Sequence, residues 1–386
     1  MIRNVFVKRL LQNSIFDLLS KINKYKKHNN RMIMLYSNMG FRDNIKALYD
    51  YIIEERLDER YKIVCSLNDY KEYRDNAGGN VKFVSNFKGI LYYFLAGSVY
   101  YCFGKIPIVH GEDQIVVQMW HGSPLKQGDK GMRDGHSWKR QYYSLVFSAS
   151  KHFIPIWSSL FSIPQENVFI CGHPRCDLLF KDCPNYDFGS YQKLILWAPT
   201  FRKSKIMGYA DVKENVDEIV PIVKTSEYTW LNDFLKEKGV KVVVKLHPMQ
   251  DLSKYNLTEL DHFLLMSHID FTKKNMDLYR LMTQADALIT DYSSIFYDYL
   301  LLDRPIGFTE DDLDDFGDTR GWAVDNPDDY RPGQRIRSTD DLLFFVDCLV
   351  RGEDSYVFDR HRVIKLSNEY PGGGYCKRAL ECANIT

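Results

Sequence analysis

Short apolar runs recur along this chain, most of them closing on a proline or polar residue, with stretches of helical spacing set between them. One series lies at 32–36, 61–65, 81–84, 98–102 and 115–120, with a helical stretch at 45–55. A second lies at 194–198, 240–246, 263–265, 287–290 and 305–308, with helical stretches at 229–238, 276–284 and 294–302. Strands separated by helices need crossover connections, so the alternation predicts parallel sheets covered on both faces. The polar, turn-rich segment 181–190 reads as a linker between two such domains, at 31–180 and 181–370.

Lys and Arg total 51, as do Asp and Glu, so no overall basic charge favours a nucleic-acid partner. The charge is uneven at the start, where residues 1–31 hold eight Lys or Arg and one acid, Asp17. Ile2, Val5, Phe6, Leu10, Ile15, Leu18, Leu19 and Ile22 fall at helical spacing among Arg3, Lys8, Arg9, Lys21, Lys24, Lys26 and Lys27. Segment 1–30 is therefore expected to be a basic amphipathic helix on an anionic membrane surface; the alternative is packing against its own protein or a partner. The eight cysteines form no CxxC pair, no HExxH is present, and no apolar run is long enough to span a bilayer. An intracellular chain with reduced thiols is the expectation.

Ligands of open α/β sheets bind beyond the carboxyl ends of the strands, and the strand exits carry the reactive residue types. The run 287–290 empties into Asp291, Tyr292, Ser293 and Ser294, which open a stretch read as an amphipathic helix. N–H groups at a helix start, two hydroxyls and the helix dipole favour a phosphate there, with Asp291 shaping the turn. Trp120-His121-Gly122-Ser123-Pro124 leaves the first domain's sheet, and Lys245-Leu246-His247-Pro248 leaves the second's. A phosphoryl transfer needs a base for the acceptor hydroxyl and a donor to offset charge on the phosphate; His121 suits the first task and His247 the second. Thr200 and Arg202, after the run 194–198, offer a hydroxyl and a forked cation to phosphate oxygens. Gly122 and Ser123 join Thr200, Arg202, Asp291, Ser293 and Ser294 as donor-binding candidates. The acidic run from Glu310 to Asp315 would admit Mg²⁺, but the chemistry does not require a cofactor or a metal. Neither GxGxxG nor a Walker A pattern occurs, which disfavours a dehydrogenase or P-loop kinase.

Taken in order, Gly40 with Asp43-Asn44, Trp120-His121-Gly122, the run from Ala198 to Arg202, Leu246-His247-Pro248, the run from Ile289 to Ser294, Arg304-Pro305, Arg320-Gly321-Trp322 and Pro332-Gly333 resemble the CDP-glycerol glycerophosphotransferase family over residues 32–382. The resemblance implies an α/β GT-B architecture: two Rossmann-like domains facing a central cleft, the second holding the nucleotide, and a C-terminal helix in 371–386 returning towards the first. It implies transfer of glycerol phosphate from CDP-glycerol to a hydroxyl of a lipid-linked or polysaccharide acceptor, with CMP leaving, in teichoic acid or capsule-type polymer synthesis at the cytoplasmic face of the membrane. His121 would be the base, His247 would stabilise the phosphate, and Ser293, Ser294, Thr200 and Arg202 would hold the pyrophosphate. Ribitol-phosphate transferases using CDP-ribitol share these motifs, and a GT-B glycosyltransferase using a nucleotide sugar is the other alternative. Polymerases of the family usually carry extra sequence ahead of this unit, which favours single addition here.

Overall fold

The computed structural model describes residues 14–76, 78–127, 140–199, 203–204, 209–210, 219–246, 260–310 and 321–385. The chain divides into two compact units. One comprises Met1–His121, Gly128–Asp177 and Asn368–Thr386; the other comprises Gly122–Gln127 and Leu178–Ser367.

The first unit opens with helix α1 (Ile15–Tyr25) and strand β1 (Asn29–Ser37), then α2 (Asp43–Glu54), β2 (Lys62–Leu67), β3 (Val81–Ser85), α3 (Asn86–Tyr93), β4 (Ala96–Phe103), β5 (Ile115–Gln118), β6 (Leu145–Ser148), α4 (Ile154–Phe161) and β7 (Val168–Ile170). Its seven strands are ordered β3-β2-β1-β4-β5-β6-β7, and every neighbouring pair is parallel. The last six residues of β1 and nearly all of β4 are buried, as expected of strands covered on both faces. The chain order reverses direction between β1 and β4, which makes their carboxyl ends the switch point of this sheet.

In the second unit β8 (Lys193–Ala198) is followed by α5 (Tyr228–Glu237), β9 (Val240–Lys245), β10 (Phe263–Met266), α6 (His268–Lys273), α7 (Leu278–Gln284), β11 (Ala287–Thr290), α8 (Ile295–Tyr299), β12 (Ile306–Thr309), β13 (Gln334–Ile336), α9 (Thr339–Arg351) and α10 (Val357–Ser367). Its sheet runs β10-β9-β8-β11-β12-β13, again wholly parallel, with the switch point between β8 and β11. Threonine hydroxyls lock the strand ends together: Thr290 donates to the Ala198 carbonyl at 2.7 Å and Thr309 to the Thr290 carbonyl at 3.3 Å.

The stretch after Ser294 differs from the amphipathic helix expected there. Helix α8 spans five residues, a 3-10 turn (Leu300–Leu302) follows, and Phe296, Tyr297, Asp298, Tyr299 and Leu300 are all buried. Its polar atoms are satisfied internally: Tyr299 donates to the Ala285 carbonyl at 2.8 Å, and Asp298 accepts from Tyr279 at 2.7 Å.

The last helix, α11 (Tyr375–Glu381), belongs to the first unit. Asp177 accepts the N–H groups of Tyr375 and Cys376 at 2.9 and 2.7 Å, which satisfies donors that a helix start leaves open. Tyr100 of β4 donates to the Ala379 carbonyl, and Cys376, Ala379 and Leu380 enter the same core as Ile45 and Leu48 of α2. Leu380→Ala should therefore lower stability by about 3 kcal/mol through the cavity it leaves, read as a lower urea midpoint.

Candidate functional site

The described candidate residues fall into two groups, one in each unit. In the first unit, Trp120 follows β5 with its backbone in the left-handed region at φ 56°, where a bulky residue is strained by roughly 1–3 kcal/mol. Its carbonyl oxygen accepts from Asn44 Nδ2 at 2.8 Å and from the Cys102 thiol at 3.1 Å, while its N–H donates to Gln118 Oε1. The next residue, His121, stacks on Trp120 (4.1 Å between ring centroids) and on Phe103 (4.9 Å). Gly122 then leaves at φ 144°, a conformation that a side chain would resist.

Behind this turn lies an ion pair. Asp43, itself left-handed at φ 60°, begins α2, and both its carboxylate oxygens accept from Arg175 Nη1, at 2.9 and 2.8 Å. The Arg175 backbone N–H donates to Asn44 Oδ1 at 3.0 Å, so Asn44 links the arginine's backbone to the Trp120 carbonyl. Arg175 is buried, and Cys102 bonds weakly to Asp43 at 3.7 Å. Burial is the main influence on His121 and takes its pKa down to about 4, with Asp43 opposing and Arg175 reinforcing the shift. Burial also opposes the Asp43 charge, yet Arg175 and His121 keep its carboxyl below the ordinary value. His121 is thus a neutral imidazole at pH 7, in the state that accepts a proton.

In the second unit the chain leaves β11 into Asp291, which is buried and accepts the Ser293 N–H at 3.1 Å. Ser293 and Ser294 are half-buried, and no side chain caps α8 at Ser294. Tyr292 packs its ring against Trp322, 5.5 Å between centroids. Segment 122–127 meets the same surface: Lys126 bridges Trp322, Gln127 N–H donates to the Gly321 carbonyl at 2.9 Å, and Tyr297 of α8 donates to the Pro124 carbonyl at 3.5 Å. Gly122 and Ser123 belong with this segment to the second unit, and Ser123 is buried. His247, Thr200 and Arg202 lie outside the described residues; Leu246, just ahead of His247, is buried and donates to the Met266 carbonyl at 3.0 Å.

Sequence reasoning missed two features. Glu310, read with the acidic run as a cation ligand, is buried after β12 and ringed by Arg331 (2.8 Å), Arg335 (3.0 Å) and Arg337 (2.9 Å). Its carboxylate is taken up by guanidinium groups; the rest of the run lies outside the described residues. Arg331 also sits over the Tyr292 and Phe308 rings at 5.6 and 5.8 Å, placing positive charge against the Asp291 corner. The available signal was Arg331, Arg335 and Arg337, three arginines within seven residues. The Asp43–Arg175 pair had no such signal, because its partners are remote in sequence. Among the described residues no group of three His, Cys, Asp or Glu side chains could hold a metal ion.

Two doubly wound parallel sheets, with a histidine at the carboxyl edge of one and a hydroxyl-bearing turn at that of the other, define an α/β protein of the GT-B class. A solved structure of the wall teichoic acid polymerase TagF has this fold, with a TM-score of 0.70 at 20% identity over 99% of this chain and 95% of that one. A UDP-N-acetylglucosamine 2-epimerase described as putative, from Listeria monocytogenes, shares it more distantly, with a TM-score of 0.53 at 12% identity over 91% and 95%. The sequence profile of the CDP-glycerol:poly(glycerophosphate) glycerophosphotransferase family matches residues 18–382, and the chain belongs to that family. Among its relatives are a teichoic acid poly(glycerol phosphate) polymerase of Bacillus spizizenii, 26% identical over 87% of this chain and 88% of the relative. A teichoic acid glycerol-phosphate transferase of Staphylococcus aureus is 24% identical over 84% and 85%. The ribitol-phosphate polymerase TarL of Staphylococcus aureus is 24% identical over 88% of this chain but 60% of its own length.

A histidine held neutral in the fold leaves the unfolded chain with the greater proton affinity. Acidification from about 6.5 towards about 4 should therefore destabilise the folded state, and the His121→Gln variant should lose about 2 kcal/mol less than the parent between pH 7 and pH 5, read from urea midpoints.

Proposed function

We propose that this chain transfers glycerol phosphate from CDP-glycerol to an acceptor hydroxyl in the synthesis of a teichoic acid or related surface polymer. Family membership across residues 18–382 supports the donor and the reaction, and the neutral, stacked His121 at the end of β5 carries the mechanism. The acceptor oxygen forms a bond to the phosphorus that bears glycerol, the bond from that phosphorus to the bridging oxygen breaks, and CMP leaves with the electron pair. His121 takes the hydroxyl proton as the oxygen becomes bonded. Ser293 and Ser294, with Thr200 and Arg202, hold the pyrophosphate in this reading, and His247 offsets charge on the transferred group. Gly122 and Ser123 shape the donor side through their place beside the Asp291 corner.

CDP-ribitol is the second donor reading, favoured by ribitol-phosphate polymerases of comparable identity among the relatives. A relative named as a polymerase is matched over 88% of its length, so length does not separate single addition from polymerisation. Incubation with CDP-glycerol, CDP-ribitol and nucleotide sugars should release CMP from CDP-glycerol, and His121→Ala should reduce that release at least 100-fold, about the scale of a lost general base. Release of UDP or CDP with a transferred sugar would overturn the assignment.

The acceptor in this reading is lipid-linked or a polysaccharide, and the protein works as a peripheral protein at the cytoplasmic face of an anionic membrane. Helix α1 exposes Ile15, Leu18, Ile22 and Tyr25, spaced as one stripe, beside Lys21, Lys24, Lys26 and Lys27. Phe87, Leu91 and Leu95, in and just after α3, are likewise exposed. One loop ties the two helices together: Gln114 accepts from Asn23 of α1 at 3.0 Å and donates to the Tyr93 carbonyl of α3 at 2.7 Å. Among the described residues no helix is long and apolar enough to cross a membrane, so a surface mode fits. Leu18→Ser with Ile22→Ser should weaken binding to phosphatidylglycerol vesicles about tenfold or more while leaving the urea midpoint unchanged; unchanged sedimentation with vesicles would count against the reading.

A further inference from the structure

Two of the non-glycine residues with left-handed backbones, Asp43 and Trp120, meet at His121, and strain of this kind persists only where its surroundings enforce it. Asn44 and Cys102 both hold the Trp120 carbonyl, and Asn44 in turn is held by the Arg175 backbone. The Arg175 guanidinium spans both oxygens of Asp43, and Asp43 also accepts the Asn44 N–H at 2.7 Å. These bonds fix the backbone at Trp120, immediately ahead of His121, and stacking on Trp120 and Phe103 holds the imidazole itself. We propose that the Asp43–Arg175 pair is the positioning element for His121: through Asn44 it fixes the Trp120–His121 turn, and it presents a carboxylate, moderated by its arginine, to the imidazolium formed on proton transfer.

The inference rests on His121 acting as the base. The Asp43 carboxylate raises the proton affinity of the imidazole and the Arg175 guanidinium lowers it, so the pair opposes two charges at a ring that burial already holds neutral. The other charged or titratable groups facing this site among the described residues are few. Arg42 lies over the Phe103 ring, 6.0 Å from its centroid, and the buried Cys102 thiol is kept neutral because burial raises its pKa. Neither residue pairs with the imidazole in place of Asp43.

The test is the pH dependence of CMP release from CDP-glycerol, with a lipid acceptor ending in glycerol phosphate, alongside the His121 imidazole titration by NMR. Asp43→Asn leaves Arg175 unopposed, so the acid limb and the imidazole titration should move down by about one pH unit, with kcat about tenfold or more lower and KM for CDP-glycerol within about twofold. Arg175→Gln should move both upwards, and Arg175→Lys should restore most of the wild-type position. The double variant Asp43→Asn with Arg175→Gln leaves no lone buried charge; it should fold, with kcat again reduced about tenfold. Wild-type kcat in the folded double variant would overturn the proposal, as would unmoved limbs and titrations in the two single variants. An active His121→Ala would instead defeat the base assignment itself, so the two failures are distinguishable.

Discussion

Every strand pairing in both main sheets is parallel, and much of the remaining structure depends on that single hydrogen-bonding choice. Parallel neighbours cannot be joined by a tight turn, so each strand is followed by a crossover that covers a face and buries the ladder. All carboxyl ends then collect on one edge of each sheet. The apolar runs inside the strands leave no place for reactive groups, which are displaced to the exits at Trp120–His121 and Asp291–Ser294.

At those exits the chain must turn sharply while its backbone groups stay satisfied. The two units solve this differently. In the second, hydroxyls of Thr290 and Thr309 cross-link successive strand ends, and Asp291 folds its carboxylate back onto the Ser293 N–H. Arginines gather on Glu310, a buried carboxylate whose removal would leave Asp328 as the counterion shared by Arg331 and Arg335. In the first unit the turn itself is strained, and the neighbouring Asn44, Cys102 and Arg175 hold it.

The strands with long apolar runs were legible because burial on both faces demands such runs, and the exits were legible because glycine, proline and histidine interrupt them. Strands β7 and β13 were not, since each holds three residues, and Gln-Arg-Ile of β13 looks polar while pairing on one side only. Helix α8 is no amphipathic helix because its tyrosine hydroxyls and Asp298 find partners inside the protein. Asp43 and Asn44 stood out as a motif, but their partner Arg175 is separated from Asp43 by 132 positions, a distance that no local pattern spans.

The chemistry at His121 poses a conflict that the structure resolves by position. Stacking on Trp120 and Phe103 fixes the ring, yet the same burial strips water from it and weakens it as a base. A carboxylate in direct contact would raise that basicity more strongly. Asp43 is instead tied to Arg175 through both oxygens, so its field reaches the imidazole already partly cancelled. A base that must take a proton in one step and lose it before the next turnover is better served by such a moderated charge than by either extreme.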